Sequence, residues 1–485
     1  MLFNLRYITN VKTDRFLIKI IERKAPPIGS RRGWWWKETM ATIILYNEVN
    51  LMMIRFYLPM FLCIFAWLND NPMNLNSEQI RPDLSLEVRP DQTLSPKQQQ
   101  EKMKEFLGTE HCSMETILGK RVFVYRTEGK QFILLNRAVS YLGGNGQHPI
   151  FKKRVQLPEW FKDFCLEVAR QGLSYDVRFI GVYHYEGAVV FVDFIKDTYL
   201  KKKVHNSSAH IYINDIYQAM KKGVFHKEDM FGNHIYAVRC NQFSNYLLGR
   251  NNGNDELYDL FRKFNEEFIF GQWIYSVDKI KEMHDNEWSQ WQQAEWAGWF
   301  LEYRLNAFTI EKNITHLMRY VGTSNKGKKE EGKFDFDIWF DRDTFYGDLK
   351  ASDITHKEAL GNDQESFVDC INRYGQFWFV IYEHETLKDS VDTQYRATIE
   401  RNQYIRSIVP NYSKDDMSYA SKMKNSVRFV RMSILELNRI TFREVLSVFN
   451  QGHQPDGSAR KPKFLIKKKD MDKYVVYRYN YVING

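Results

Sequence analysis

The residues best suited to chemistry lie in one window, Phe334–Ser352, which reads FDFDIWFDRDTFYGDLKAS. Side chains alternate faces along a strand. Asp348, Lys350 and Ser352 would therefore share one face, with Leu349 and Ala351 on the other. By the same rule Asp335 and Asp337 share a face, while Phe334, Phe336 and Ile338 point into a core. Eleven positions separate Asp337 from Asp348, which permits two adjacent antiparallel strands joined by Asp341–Thr344. Such a pair brings Asp337, Asp348 and Lys350 to one edge of a sheet. Phosphodiester hydrolysis needs groups of this kind. A hard cation polarises the phosphoryl oxygen and activates water, and Mg2+ prefers carboxylate ligands. Two carboxylates about 4 Å apart repel by roughly 4 kcal/mol in an effective dielectric of about 20. A divalent cation relieves that repulsion, and a lysine can hold the attacking water or offset charge developing on the phosphate. The acidic-x-Lys pattern by itself is weak, because it recurs at Glu22–Lys24, Glu128–Lys130 and Glu331–Lys333. What sets Asp348-Leu349-Lys350 apart is a preceding strand with an acidic residue and, before that, a helix bearing Glu295 and Glu302.

The elements that must hold these residues follow from pattern and turn chemistry. Glu256–Ile269 and Ser289–Phe308 have apolar residues at helical spacing. Strand-like segments follow at Phe334–Phe340, Tyr346–Ala351 and Gln376–Glu383, with Gln364–Tyr374, Ile399–Ile408 and Ile434–Val448 read as helices. Strands between helices argue for an α/β arrangement over 251–450. Upstream, two hairpins are expected. Arg121–Arg126 and Gln131–Arg137 flank Thr127–Lys130, and Arg178–Tyr185 and Ala188–Ile195 flank Glu186-Gly187. With further strands at Ala209–Ile213 and His234–Arg239, residues 103–250 read as an α+β domain with antiparallel strands, ending at Arg250–Asn254. Residues 1–102 read as an extension and a linker, the Leu75–Gln100 run carrying Pro82, Pro90 and Pro96. Met103 would then begin the ordered protein. Residues 451–485 read as a basic, aromatic tail, whose Lys461–Lys469 run either grips phosphates or forms a solvated face.

The order of helix glutamate, strand aspartate and Asp-x-Lys resembles the PD-(D/E)XK nuclease superfamily, and within it type II restriction endonucleases. The segments are Glu295–Leu305 (EWAGWFLEYRL), Lys333–Phe340 (KFDFDIWF) and Tyr346–Ser352 (YGDLKAS). In such nucleases the glutamate often follows a glycine by about one turn. Gly298 stands in that relation to Glu302, so the resemblance prefers Glu302 over Glu295. The proline that usually precedes the first aspartate is replaced by Phe336, which leaves Asp335 as a competitor to Asp337. The resemblance covers roughly Leu257–Val448. It implies a restriction-endonuclease-like α/β/α core with a mixed sheet and Mg2+-dependent cleavage of double-stranded DNA. Asp337 and Asp348 would be the metal ligands, Lys350 would position the nucleophile, and Glu302 would orient water or act on the metal indirectly. It also implies a partner DNA methyltransferase that protects the cell's own sites, and makes Lys357, Asn362, Gln364 and Arg373 candidate DNA contacts. A homodimer is expected because symmetric duplex sites favour paired active sites. Residues 103–250 would then supply target recognition. The alternatives are another nuclease role in repair, recombination or transposition, or a DNA-binding protein without catalysis.

The whole-chain numbers agree with these expectations. The 485 residues suit two or three domains. Hydrophobic residues are 44% and charged residues 27%, which excludes a mostly disordered chain and a polytopic membrane protein. Lys+Arg 69 against Asp+Glu 60 leaves +9, a balance that suits a polyanionic partner. Five widely spaced cysteines without C-x-x-C argue against a disulfide scaffold or cysteine zinc site, and for a reducing cytoplasm. Leu51–Leu68 has the length of a membrane span, but Arg55 and Pro59 interrupt it and a soluble reading is preferred. Gly322–Lys329 falls short of a phosphate-binding loop because Lys329 replaces the final Ser or Thr. His205–His210 reads as a loop rather than a nuclease motif, and Gly143–Gly146 as a loop rather than a dinucleotide fingerprint. Trp288, Trp291, Trp296 and Trp299 read as helical core rather than base-stacking platforms.

Overall fold

The computed structural model describes residues 76–141, 143, 148–201, 208–229, 232–251, 253, 255–322, 334–410, 412, 420, 423–453 and 457–481. Asn76–Leu142 and Ile150–Gly485 form one compact unit. Residues 51–68, 144–146, 205–207 and 323–333 lie outside the described residues, and with them the apolar run, the glycine run, His205 and most of the basic loop. Among the described residues no helix is long and apolar enough to cross a membrane.

Two seven-stranded sheets dominate. The first runs, in spatial order, Val224–Glu228, His234–Arg239, Ala188–Phe194, Asp176–Tyr185, Lys130–Ala138, Lys120–Thr127, Cys112–Ile117. Both expected hairpins are present. They turn at Glu128-Gly129 and Glu186-Gly187, and all four residues take the positive φ that tight two-residue hairpins need. The sheet is not wholly antiparallel as expected. Lys130–Ala138 runs parallel to Asp176–Tyr185, because the chain returns through the Phe161–Arg170 helix before the second strand begins.

The second sheet has the order Ile274–Tyr275, Lys424–Asn438, Gln376–Lys388, Phe345–Asp353, Ile338–Phe340, Arg319–Tyr320, with Val475–Asn480 also paired to Lys424–Asn438. Phe345–Asp353 and Gln376–Lys388 are parallel and the other pairs antiparallel, so the sheet is mixed. Its faces are sorted by alternation. Trp378, Val380, Tyr382, Met432 and Ile434 enter one buried cluster together with Phe261, Phe300 and Leu301 of helices Glu256–Phe264 and Trp296–Glu311. Phe377, Phe379, Ile381, Leu435 and Leu437 enter another, against Phe367, Cys370 and Ile371 of helix Gln364–Tyr374. Helices therefore cover both faces. Trp288, Trp291 and Trp296 are buried in the first cluster and Trp299 packs against it, as expected for core residues.

Three expectations are corrected. Ile434–Val448 is not a helix: Ile434–Asn438 ends the long Lys424–Asn438 strand, and only Phe442–Val445 is helical. A central strand buried on both faces has a continuous apolar run, which periodicity cannot tell from a buried helix. The Leu75–Gln100 run is not a linker. It forms the hairpin Asn76–Ile80/Leu86–Pro90 and, after the Ser95 cap, helix Pro96–Leu107, in which Met103 is fully buried. Asp91 within it pairs with the buried Lys153 at 2.5 Å. Residues 463–480 are not a solvated tail. Lys463–Lys467 and Val475–Asn480 are sheet strands; Phe464 and Ile466 alternate inward along the first, and Tyr474 and Val475 are buried at the start of the second. One buried cluster lies wholly before Arg250 and another wholly after it, while a third runs from Ile80 to Val476; Gln218 Nε2 donates to Glu436 Oε1 (2.8 Å) and Asn480 Nδ2 to Glu228 Oε1 (3.0 Å).

Candidate active site

The second sheet assembles the carboxylates and the lysine. Ile338–Phe340 and Phe345–Asp353 pair antiparallel, with Ile338 opposite Gly347 and Phe340 opposite Phe345, and the turn between them passes through Thr344 at φ 55. Gly347 is required by packing. A Cβ there would lie 2.7 Å from Phe340 Cε2 and 3.0 Å from the Trp378 carbonyl oxygen. The residue that follows it, Asp348, is thereby drawn into the sheet and is 2% exposed.

Asp337 sits at a bend just before the short strand, not inside a strand reaching back to Lys333. The bend breaks the expected alternation. Phe336 enters one buried cluster and Ile338 the other. Between these two anchors the Asp337 carboxylate turns inward, and its Oδ2 accepts a hydrogen bond from the Leu349 backbone N–H (2.9 Å). Its own carbonyl accepts from the Val321 N–H (2.8 Å). Asp335, two residues earlier, is exposed.

Lys350 forms an ion pair with Asp348 Oδ2, an oxygen that otherwise finds no well-aligned hydrogen-bond donor. About one-fifth of the Lys350 side chain remains accessible. Glu302 lies on helix Trp296–Glu311, whose Trp296, Phe300, Leu301 and Leu305 are buried in the core. Its Oε2 accepts a hydrogen bond from the Tyr320 hydroxyl (2.7 Å). Glu295 stands at the helix's N-cap position, mostly exposed, and reaches Lys424 at 3.7 Å.

The charges of the four inward residues act on one another. Burial lifts the Asp337 carboxyl well above the usual range, Asp348 and Glu302 push it further, and Lys350 pulls it back. Burial works to lower the Lys350 ammonium, but Asp348, Asp337 and Glu302 outweigh it and hold its pKa above the ordinary value. The structure thus brings together Glu302, Asp337, Asp348 and Lys350, and leaves Glu295 and Asp335 apart from this set.

The donor set suits a hard cation. Among the described residues no group of three or more His, Cys, Asp or Glu side chains is arranged to hold a metal ion by itself. Mg2+ does not need one, since it keeps several waters and binds through one or two carboxylates plus substrate phosphates. A crowded pair of carboxylates, only one of which Lys350 directly offsets, fits that demand.

Of the candidate DNA contacts, Lys357 and Arg373 are exposed, and Gln364 begins helix Gln364–Tyr374 with its backbone N–H bound to the Pro462 carbonyl (3.0 Å). Asn362 is half-buried, with Oδ1 lacking a hydrogen-bond partner. One residue was not singled out by sequence reasoning. Lys463 lies opposite Asp363 on a small sheet of Glu358–Asp363, Lys463–Lys467 and Leu446–Phe449. Burial lowers the pKa of its ammonium. Within a run of basic residues nothing in the sequence distinguishes it.

No curated protein and no solved structure matches the chain. Residues 130–247 match the family model for Methylase-associated X1. The matched stretch holds five strands of the first sheet, from Lys130–Ala138 to His234–Arg239, and not the carboxylate site of the second. The match points to a restriction–modification context for the chain.

Proposed function

We propose that this chain is a Mg2+-dependent endonuclease that cuts double-stranded DNA within a restriction–modification system. The observation that carries the reading is the gathering of Asp337, Asp348, Lys350 and the Glu302 charge at one buried sheet edge, from three separate elements. A cluster of three carboxylates around one lysine is costly to bury without a partner, and costly arrangements of titratable groups concentrate at functional sites. Asp337 and Asp348 would hold the metal, which when bound would polarise the phosphate and favour attack by water. Asp337 is fixed for this by the Leu349 N–H and Asp348 by the sheet. Lys350, partly accessible and charged, would hold the attacking water and offset negative charge gathering on the phosphate. Glu302, fastened by the Tyr320 hydroxyl, would orient water at the site's edge. The Methylase-associated X1 match favours restriction over repair or transposition, and a DNA methyltransferase as the functional partner. On this reading the first sheet supplies target recognition, and two copies act on the two strands.

Digestion of unmethylated plasmid with and without Mg2+ tests the proposal, beside Asp348→Ala and Lys350→Ala. Discrete fragments from the wild type alone are expected, with the variants slower by at least about 10²-fold. Full activity in either variant would remove the site assignment, and no cutting of any duplex by the wild type would leave the non-catalytic alternative.

A further inference from the structure

We propose that a cleft on the first sheet, floored by the Arg178 guanidinium and walled by Tyr236 and Tyr246, holds a single nucleobase drawn out of the DNA stack; this rests on the reading of that sheet as the target-recognition part. The cleft arises where the cover of the sheet stops. On one face Ile180, Phe191 and Val238 are buried together with Phe243 and Leu247 of helix Phe243–Leu247. Side chains two residues apart on a strand share a face. Two residues further out on the same three strands, that face carries Arg178, Asp193 and Tyr236, with Asp176 beyond Arg178. There the surface opens into a cleft of about 710 Å³, bordered by Asp176, Arg178, Tyr236 and Tyr246. Small-molecule sites run from roughly 300 to 1,000 Å³. Almost all of the cleft's lining belongs to the stretch 130–247 that matches Methylase-associated X1.

The floor is costly to build. Asp193 is fully buried. Its Oδ2 accepts from Arg178 Nη1 (3.0 Å) and from the Tyr246 hydroxyl (2.9 Å), while Oδ1 has no hydrogen-bond partner among the described residues. Arg178 Nε and Nη2 both donate to Asp176 Oδ2 (2.9 and 2.7 Å). A buried ion pair is often no more stabilising than apolar residues of the same size, so stability gives little reason to keep one under an opening. What the network does is lock a plane. All three guanidinium nitrogens are engaged at their edge, and 28% of the side chain stays accessible, so the group has its flat face to offer. Guanidinium faces and aromatic rings are the surfaces on which unstacked bases lie. Tyr236 is held in the same manner, its ring parallel to that of His226 (4.2 Å between centroids, 12°), with Tyr246 5.3 Å away. The Asp176 carboxylate at the rim can accept an N–H from the edge of a heterocycle. Flat surfaces and an acceptor suit a nucleobase, and a base still paired inside the duplex cannot reach them.

The test is fluorescence anisotropy without divalent metal, using a fully paired duplex and four duplexes that each carry a short bubble of one unpaired base type. The wild type should bind at least one bubble about tenfold more tightly than the paired duplex, the effect of a stacked base. Tyr236→Ala should lose that preference and keep its affinity for paired DNA, and Tyr236→Phe, which retains the ring, should keep both. Equal wild-type affinities overturn the proposal, as does absence of DNA binding by the wild type. So does a preference that survives in Tyr236→Ala or that Tyr236→Phe loses as fully. Should Tyr236→Ala fail to fold, photocrosslinking of the wild-type chain to bubbles containing 5-iodouracil decides. A crosslink at Tyr236 or Tyr246 supports the pocket, and crosslinks only elsewhere overturn it. Metal-dependent cutting without any bubble preference sinks this inference alone, and a preference that Tyr236→Ala abolishes, without any cutting, sinks the nuclease reading alone.

Discussion

Neutralising Asp337 should make the metal-free protein more stable while abolishing its proposed activity. Asp337→Asn keeps the geometry, since the amide oxygen can still accept the Leu349 N–H and the amide nitrogen can donate toward Asp348. What it removes is a buried charge crowded by Asp348 and Glu302. One carboxylate pair at about 4 Å repels by roughly 4 kcal/mol in an effective dielectric of about 20, and Lys350 offsets part of this, so a net gain of about 1–3 kcal/mol is expected. The sign with pH follows from the direction of the shift. A carboxyl whose folded pKa lies above its unfolded value binds its proton more tightly when folded. Its contribution favours the fold below the unfolded value and is lost as pH rises through the folded one. Wild-type stability in chelator should therefore decline above the ordinary carboxylate range, by an amount that Asp337→Asn abolishes. Urea unfolding at a series of pH values, in chelator and in Mg2+, measures both effects. Mg2+ should restore stability to the wild type, by about 2.7 kcal/mol at a hundred times its dissociation constant, and leave the variant unchanged. A variant less stable than wild type in chelator, with the wild type's pH dependence intact, would refute the crowding argument.

Four further outcomes are expected. Glu302→Gln retains an acceptor for the Tyr320 hydroxyl, so it should fold normally and lower the cleavage rate by about 10–10²-fold with little change in DNA affinity, measured by single-turnover digestion. Gly347→Ala has no room for its methyl group against Phe340 and the Trp378 carbonyl, and should lower the unfolding free energy by about 1–3 kcal/mol in urea melts. Asp91→Ala leaves Lys153 buried without its carboxylate and should cost about 3–5 kcal/mol, less whatever the Ser77 hydroxyl recovers. A chain started at Met103 would lose Asp91 and much of a core helix together, and should be insoluble on expression.

The turns and the site were the most legible regions of the sequence. Glu128-Gly129 and Glu186-Gly187 announce hairpins because few residues accept positive φ, and that constraint is local. Asp348-Leu349-Lys350 placed two candidate site residues on one face through the pleat alone. The spacing from Asp337 implied a hairpin, and the Ile338–Phe340/Phe345–Asp353 pair is that hairpin. Harder to read were segments whose partners lie far along the chain. Ile434 and Leu435 look helical in sequence, yet they sit on opposite faces of a strand covered on both sides. Residues 75–100 look like a linker until Tyr183 binds the backbone of Ile80 and Asp91 reaches Lys153.

Composition, turn chemistry and strand alternation by themselves determined that this chain is a mixed α/β protein with two carboxylates and a lysine disposed for one sheet edge. Only the tertiary structure showed that Asp337 turns inward where Asp335 is exposed, and that Glu302 faces Tyr320 where Glu295 stands at the helix's exposed start. Those placements depend on a bend that sends Phe336 and Ile338 into different cores, and on which turn of a helix faces Tyr320. Local rules set which side chains share a face. Which faces meet is set by burial across long sequence separations, and no short window of sequence contains that.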